Sequence, residues 1–127
     1  MKAYTLGYKF RIYPNRKQQQ KINCILGCAR FVYNHFLVIR RDEWKANHNS
    51  LNYAKTNKLL TDLKKREETT WLSEADSMAL QESLRDLDYA FQRFFKKKAK
   101  YPRFKSKHNH NQSYRTRKQH NGIYIVN

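Results

Sequence analysis

Between Arg16 and Asn47 the sequence carries one apolar stripe at helical spacing. Ile22, Ile25, Leu26, Ala29, Val32, Tyr33, Phe36 and Leu37 recur three and four residues apart, the interval at which side chains share one face of a helix. A stripe of that length fixes a long helix and calls for other elements to cover it. Pro14 closes what precedes it. Asn15 stands where an N-cap belongs, and Gln18 follows three residues later in the pattern of a capping box. Gly27 interrupts the stripe at a cost of about 1 kcal/mol relative to Ala. Either a close helix approach offsets that cost or two helices meet there, which would make residues 15–47 a helix-turn-helix region.

Two further helices are expected. Asn47, Asn49 and Ser50 make a polar turn, and Asn52 can cap a helix through about Lys65 that carries Tyr53, Leu59, Leu60 and Leu63. Trp71 and Leu72 lie in a short connector. Ser73 or Asp76 can start the third helix, which runs to about Lys97 with Met78, Ala79, Leu80, Leu84, Leu87, Ala90, Phe91, Phe94 and Phe95 as its apolar surface. Its carboxylates come early and its cations late, as the helix dipole favours. Only three Gly and two Pro leave few obligate turns. Three helices with short connections pack as a small bundle.

The two ends read differently. From Ala3 to Tyr13, Tyr4, Leu6, Tyr8, Phe10 and Ile12 alternate with polar or small residues, the period of a strand. Ser113 to Arg117 alternates too, Asn121-Gly122 is a hairpin signal, and Ile123 to Val126 is a short β segment. The expected fold class is therefore α+β, mainly α, with a three-helix bundle between strands.

Charge is segregated along the chain. All ten acidic residues lie between Asp42 and Asp88. The residues before that window hold nine Lys/Arg and no carboxylate, and those after it hold eleven and none. Cationic stretches that their own chain does not neutralise seek an external polyanion, most commonly nucleic acid. The densest run is KKKAKYPRFKSK, from Lys96 to Lys107. Lys97, Lys98, Lys100, Arg103, Lys105 and Lys107 can grip phosphates, while Tyr101 and Phe104 can stack on bases. The alternative is a solvated linker whose two rings fold onto the bundle. Arg30 and Asn34 are one helical turn apart, and both can make the bidentate contacts that base edges require. The alternative there is that Arg30 pairs with a carboxylate and Asn34 satisfies a helix end.

Other chemistries find little support. The carboxylates of the middle window form no catalytic constellation, and there is no Gly-rich phosphate loop or Ser/His/Asp set. His108, His110 and His120 have no metal-ligand spacing to Cys24 and Cys28, which share a helix face and read as apolar packing. No signal peptide opens the chain, no apolar run approaches membrane-spanning length, and two Cys without a secretion signal suit a reducing cytoplasm. No membrane partner is expected.

The ordered set KFRIYP, GCARFVYN, WLSEADSMALQESLRDLDYAFQRFF, PRFKSK and QSYR resembles the N-terminal region of the TnpB (OrfB) insertion-sequence transposon family, relatives of type V CRISPR nucleases, over nearly all 127 residues. The resemblance implies an RNA-guided DNA endonuclease whose N-terminal strand and later strands form a wedge-type β-barrel, with a helical recognition domain inserted. It divides the chain into a first wedge-type strand at 1–14, the helical insert at 15–101, and a basic tract with returning strands at 102–127, an incomplete barrel. It implies guide RNA from the transposon end and target DNA as partners. The family's cleavage centre is an RNase H-like domain with an acidic triad and Mg²⁺, and this sequence ends before it. No catalytic residue and no cofactor is therefore expected here, and a C-terminal nuclease part is a further possible partner.

The residues carried over from the motifs as nucleic-acid contacts or scaffold are Lys9, Arg11 and Tyr13; Arg30, Tyr33 and Asn34; Arg103, Phe104, Lys105 and Lys107; and Ser113, Tyr114 and Arg115. Tyr33 is expected to pack rather than bind. Two rival readings stand beside this one: a free-standing helix-turn-helix regulator of DNA, and a structural RNA-binding protein.

Overall fold

The computed structural model describes residues 13–108 and Tyr114. It contains α1 (Arg16–Asn47), α2 (Tyr53–Lys65), a 3-10 segment (Glu67–Glu74) kinked at Thr69, and α3 (Ser77–Phe95). Local side-chain chemistry sets the helix starts. The Gln18 amide N–H donates to Asn15 Oδ1 at 2.9 Å and the Asn15 N–H donates to Gln18 Oε1 at 3.0 Å, which closes the capping box. Asn52 Oδ1 accepts from the Lys55 N–H, and Asp76 Oδ1 from the Met78 N–H, each at 3.0 Å. Each bond satisfies a donor that the first turn would leave unpaired. Ser73 does not start α3. It lies in the 3-10 segment, and its hydroxyl donates to the Thr70 carbonyl.

The helix ends are equally defined. His48 closes α1 in the left-handed region at φ 50°, its N–H donating to the Trp44 carbonyl. After α3, Lys97 sits at φ 61°, with the Lys97 N–H on the Phe94 carbonyl and the Lys98 N–H on the Arg93 carbonyl. That bond pair is a Schellman motif, whose left-handed position usually holds Gly and here holds a lysine.

α1 and α3 form the principal pair, and α2 packs on α3 and on the 3-10 segment. The core is built from Val32, Tyr33, Phe36 and Leu37 of α1, Leu60 and Leu63 of α2, Leu72, and Leu80, Leu84, Leu87 and Phe91 of α3. Burying each Leu or Phe contributes about 1.5–3 kcal/mol, so Leu84→Ala is expected to cost about 2–5 kcal/mol. Leu72 is fully buried in this core, which ties the 3-10 segment to the bundle. With 32 residues against 19, α1 outruns α3 by about 20 Å at 1.5 Å per residue. Along its first half, Ile22, Ile25 and Leu26 are only half-buried.

Two polar ties lock α1 to α3. The Ser83 hydroxyl donates to the Ala29 carbonyl at 2.7 Å. Arg40 Nη1 meets Asp88 Oδ1 at 3.0 Å in an ion pair whose side chains are 6% and 18% exposed, and its guanidinium lies 4.4 Å from the Phe91 ring centroid. A buried pair of this kind adds little net stability, but losing one partner strands the other.

Three expectations require correction. The described residues contain helices and no strand, so the α+β class with an incomplete wedge-type barrel gives way to a helical fold. The strand expected over Ala3–Tyr13 lies outside the described residues except Tyr13, which is irregular. Of Ser113–Arg117 only Tyr114 is described, also outside any strand, and the 121–126 hairpin lies outside altogether. Gly27 marks neither a turn nor a close helix approach, because α1 is continuous through it and a Cβ there would meet only Arg30 Nη2, at 3.7 Å. Finally, α1 is long and apolar enough to cross a membrane by length and composition. Its Val32, Phe36 and Leu37 are core residues of the bundle, which accounts for part of that apolarity.

Candidate nucleic-acid interface

The basic tract after α3 is fastened to the bundle. The Tyr101 ring stands edge-on to Phe91 and Phe94, with centroids 5.5 and 5.1 Å away. Pro102 is buried. Three residues on, the Asn34 side chain clasps the backbone of Lys105. Asn34 Nδ2 donates to the Lys105 carbonyl at 2.9 Å, and the Lys105 N–H donates to Asn34 Oδ1 at 2.7 Å. A carboxamide presents a donor and an acceptor side by side, as a backbone edge does, so one side chain can hold one residue of extended chain in register. The Lys105 ammonium lies 4.6 Å from the centroid of the Tyr33 ring, a cation–π contact that settles the aliphatic stem against α1.

These anchors leave Arg103, Phe104, Lys105, Ser106 and Lys107 exposed. The tract is thus not a solvated linker, and of its two rings only Tyr101 folds onto the bundle; Phe104 is 54% exposed. Asn34 has both amide atoms engaged by the tract, so its structural role is to position Lys105. Arg30 is half-buried one turn earlier, with Nη2 beside the Gly27 backbone. Tyr33 is buried, and burial followed by the nearby Asp86 charge raises its phenol above the ordinary 10.0. Tyr114 is half-buried, its phenol likewise raised by burial and then by Asp76. Lys9, Arg11, Ser113 and Arg115 lie outside the described residues.

Upstream, Lys96, Lys97, Lys98 and Lys100 are all exposed where α3 ends. Arg93 acts on Tyr89 beside them, with smaller contributions from Lys98 and Lys96. The Arg93 guanidinium donates to its hydroxyl at 3.2 Å, and that hydrogen bond, then the charges of Arg93, Lys98 and Lys96, lower its phenol below the ordinary value. Several acidic-window carboxylates have partners on or beside the helices: Asp88 on Arg40 and Gln92, Glu82 on Arg85, Asp42 on Arg41, and Glu43 on Asn47 and Asn49. Asp88, Glu82 and Asp42 are thereby paired with cations of the helices, whereas Glu43 is held by neutral amides and keeps its charge.

Among the described residues no group of three His, Cys, Asp or Glu could hold a metal. Cys28 is buried and its thiol is pushed up to about 11, first by burial and then by Cys24. It is an inert core group, whereas Cys24 is exposed. Trp44, Phe31 and His35 carried no expectation from the sequence. Trp44, Phe95 and Tyr101 border a cleft at the ends of α1 and α3, and Phe31, His35 and Trp71 form a stacked and edge-on group on another side.

The fold and site define a helical bundle with a cationic strap pinned along its longest helix. Residues 1–49 match the family model described as a helix-turn-helix domain, of the OrfB type, although the described part of that span is a single uninterrupted helix. The chain is 39% identical over 107 residues to a Streptomyces pristinaespiralis protein named "Putative RNA-guided DNA endonuclease", covering 84% of this chain and 27% of that one. It is 35% identical over 101 residues to "Putative RNA-guided DNA endonuclease InsQ" of Escherichia coli K12, covering 80% and 25%. It is also 37% identical over 109 residues to "Virulence protein VsdF" of Salmonella dublin, covering 79% of this chain and 92% of that protein. The chain belongs to the TnpB/OrfB family. It spans about a quarter of the length of the two endonuclease-named relatives.

Proposed function

We propose that this chain acts as the N-terminal nucleic-acid-binding lobe of a TnpB-like RNA-guided DNA endonuclease, gripping guide RNA and target DNA without cleaving either. The observation that carries this reading is the Asn34–Lys105 clasp. It fixes Lys105 on α1, with Arg103 and Lys107 two residues to either side, so less ordering is needed when phosphates dock. Arg and Lys on phosphate supply affinity and register without sequence choice, while Phe104 offers an exposed ring for an unpaired base. Lys9, Arg11, Arg30, Tyr114 and Arg115 are further candidate contacts in this reading, and the site of action is the cytoplasm. A free-standing helix-turn-helix regulator is disfavoured because α1 has no turn to set a recognition helix apart. Sequencing the RNA that co-purifies with the chain tests the proposal. Enrichment of RNA from a transposon end is expected; absence of RNA together with a footprint on a symmetric duplex site would replace it with the regulator.

A further inference from the structure

At the end of the bundle where α1 and α3 both stop, a cleft of about 210 Å³ opens between Trp44, Leu51, Phe91, Phe94, Phe95 and Tyr101, with Arg40 and Ser50 completing its lining. Three of its rings face outward: Trp44 is 47% exposed, Phe95 53% and Tyr101 39%. They form one contacting cluster rather than a scatter. Trp44 and Phe95 have centroids 6.4 Å apart, Phe91 and Phe95 stack at 6.2 Å, and Tyr101 stands edge-on to Phe91. The volume is below the roughly 300–1,000 Å³ of drug-sized sites, so it suits a single ring system.

The chain joining Phe95 to Tyr101 is Lys96, Lys97, Lys98, Ala99 and Lys100, every residue exposed. Of the carboxylates on these helices, Asp88 is paired with Arg40 and Asp42 with Arg41, while Glu43, held by the neutral amides of Asn47 and Asn49, keeps its charge and is outnumbered by the lysines of this run. Apolar rings beside a lysine run complement a ligand that is flat and aromatic with anionic flanks. An apolar peptide anchor would fill the slot but has no use for the lysines.

We propose that this cleft takes one unpaired base of a single-stranded RNA, stacked among Trp44, Phe95 and Tyr101, with the flanking phosphates on Lys96 to Lys100. The assignment to RNA follows from where unstacked bases occur before any duplex is opened: loops of folded RNA present them, whereas intact duplex DNA keeps its bases paired. The inference rests on the nucleic-acid reading above and adds a separate, base-reading element to it.

Trp44 reports on its own site once Trp71 is replaced, since the chain has two Trp. In a Trp71→Phe background, the chain is titrated with an RNA hairpin bearing a single-stranded loop, the same hairpin with abasic loop positions, and a blunt DNA duplex. The looped hairpin is expected to quench Trp44 emission, and the other two to bind without quenching. Trp44→Ala and Phe95→Ala should each weaken hairpin affinity roughly 5- to 150-fold, with Trp44→Phe recovering most of the loss and duplex affinity unchanged. Both rings are about half-exposed, so the folded bundle should survive, as a circular-dichroism melt would verify. Binding of the hairpin without quenching, or equal quenching by the abasic hairpin or the duplex, overturns the stacking site and leaves the nucleic-acid reading standing. Shielding of Trp44 from acrylamide in the free protein also overturns it, by showing that another part of the chain or a second copy fills the cleft. Failure of every probe to bind sinks the nucleic-acid reading itself.

Discussion

Asn34→Ala removes both hydrogen bonds that hold Lys105 to α1. A net protein hydrogen bond contributes about 0.5–1.5 kcal/mol, so the pair contributes about 1–3 kcal/mol. Lys105 is exposed, so water can replace both bonds and no desolvation penalty is left behind. The expected cost therefore falls in the lower part of that range, about 1–2 kcal/mol. With tenfold for each 1.4 kcal/mol, the undocked population of the tract rises roughly 5- to 30-fold. Amide exchange at Lys105, followed by NMR, should accelerate by that factor. Asn34→Asp separates the two bonds. It keeps an acceptor for the Lys105 N–H but loses the donor to the Lys105 carbonyl, so the amide should retain protection while the melting temperature still falls. Affinity for a single-stranded RNA should drop with the docked population, because the tract must then be reordered on binding. Free-chain exchange at Lys105 in the unsubstituted protein, or exchange unchanged by Asn34→Ala, would refute the clasp.

Gly27→Ala is expected to stabilise the chain by about 1 kcal/mol, since a Cβ there meets nothing closer than Arg30 Nη2 at 3.7 Å; a raised urea midpoint with an unchanged slope checks it, and a lowered midpoint would contradict a continuous α1. Arg40→Met strands the Asp88 carboxylate with Gln92 alone. The cost of about 3–5 kcal/mol typical of a broken buried pair is reduced to about 2–4 by water at Asp88, and adding Asp88→Leu should restore most of it. His35 titrates below its ordinary 6.5, first because of burial and then because of the Arg66 charge. The unfolded chain therefore takes up a proton first as pH falls, so stability is full above about 6.5 and declines below it until the folded imidazole is protonated. The melting temperature should drop between pH 7.5 and 5.5, and His35→Gln should flatten that dependence.

Local chemistry was legible in the sequence. Asn15 with Gln18, and Asn52, act on donors no more than three residues away, so the helix starts could be read directly. The stripe of α1 likewise announced Val32, Tyr33, Phe36 and Leu37 as core. What escaped were contacts between distant residues. Asn34 and Lys105 are separated by 71 positions and Arg40 and Asp88 by 48; no period in the sequence signals either. Asn34 was read as a candidate base reader because a carboxamide recognises an adenine edge and a peptide edge with the same donor–acceptor pair. Leu72 was placed in a connector because a 3-10 turn is too short to show a helical repeat. The α+β class rested on period-two segments at the two ends, and the residues with described structure are helical.

The central claim, that a pinned row of cations grips phosphate, is tested most directly by the salt dependence of RNA affinity. Each Lys or Arg on the phosphates of a single strand contributes about 0.7 to the slope of log K against log salt. Combining Arg103→Gln, Lys105→Gln and Lys107→Gln should lower that slope by about 2 and weaken binding to all sequences alike. A slope unchanged by the triple substitution, in a chain whose melt is also unchanged, would contradict it.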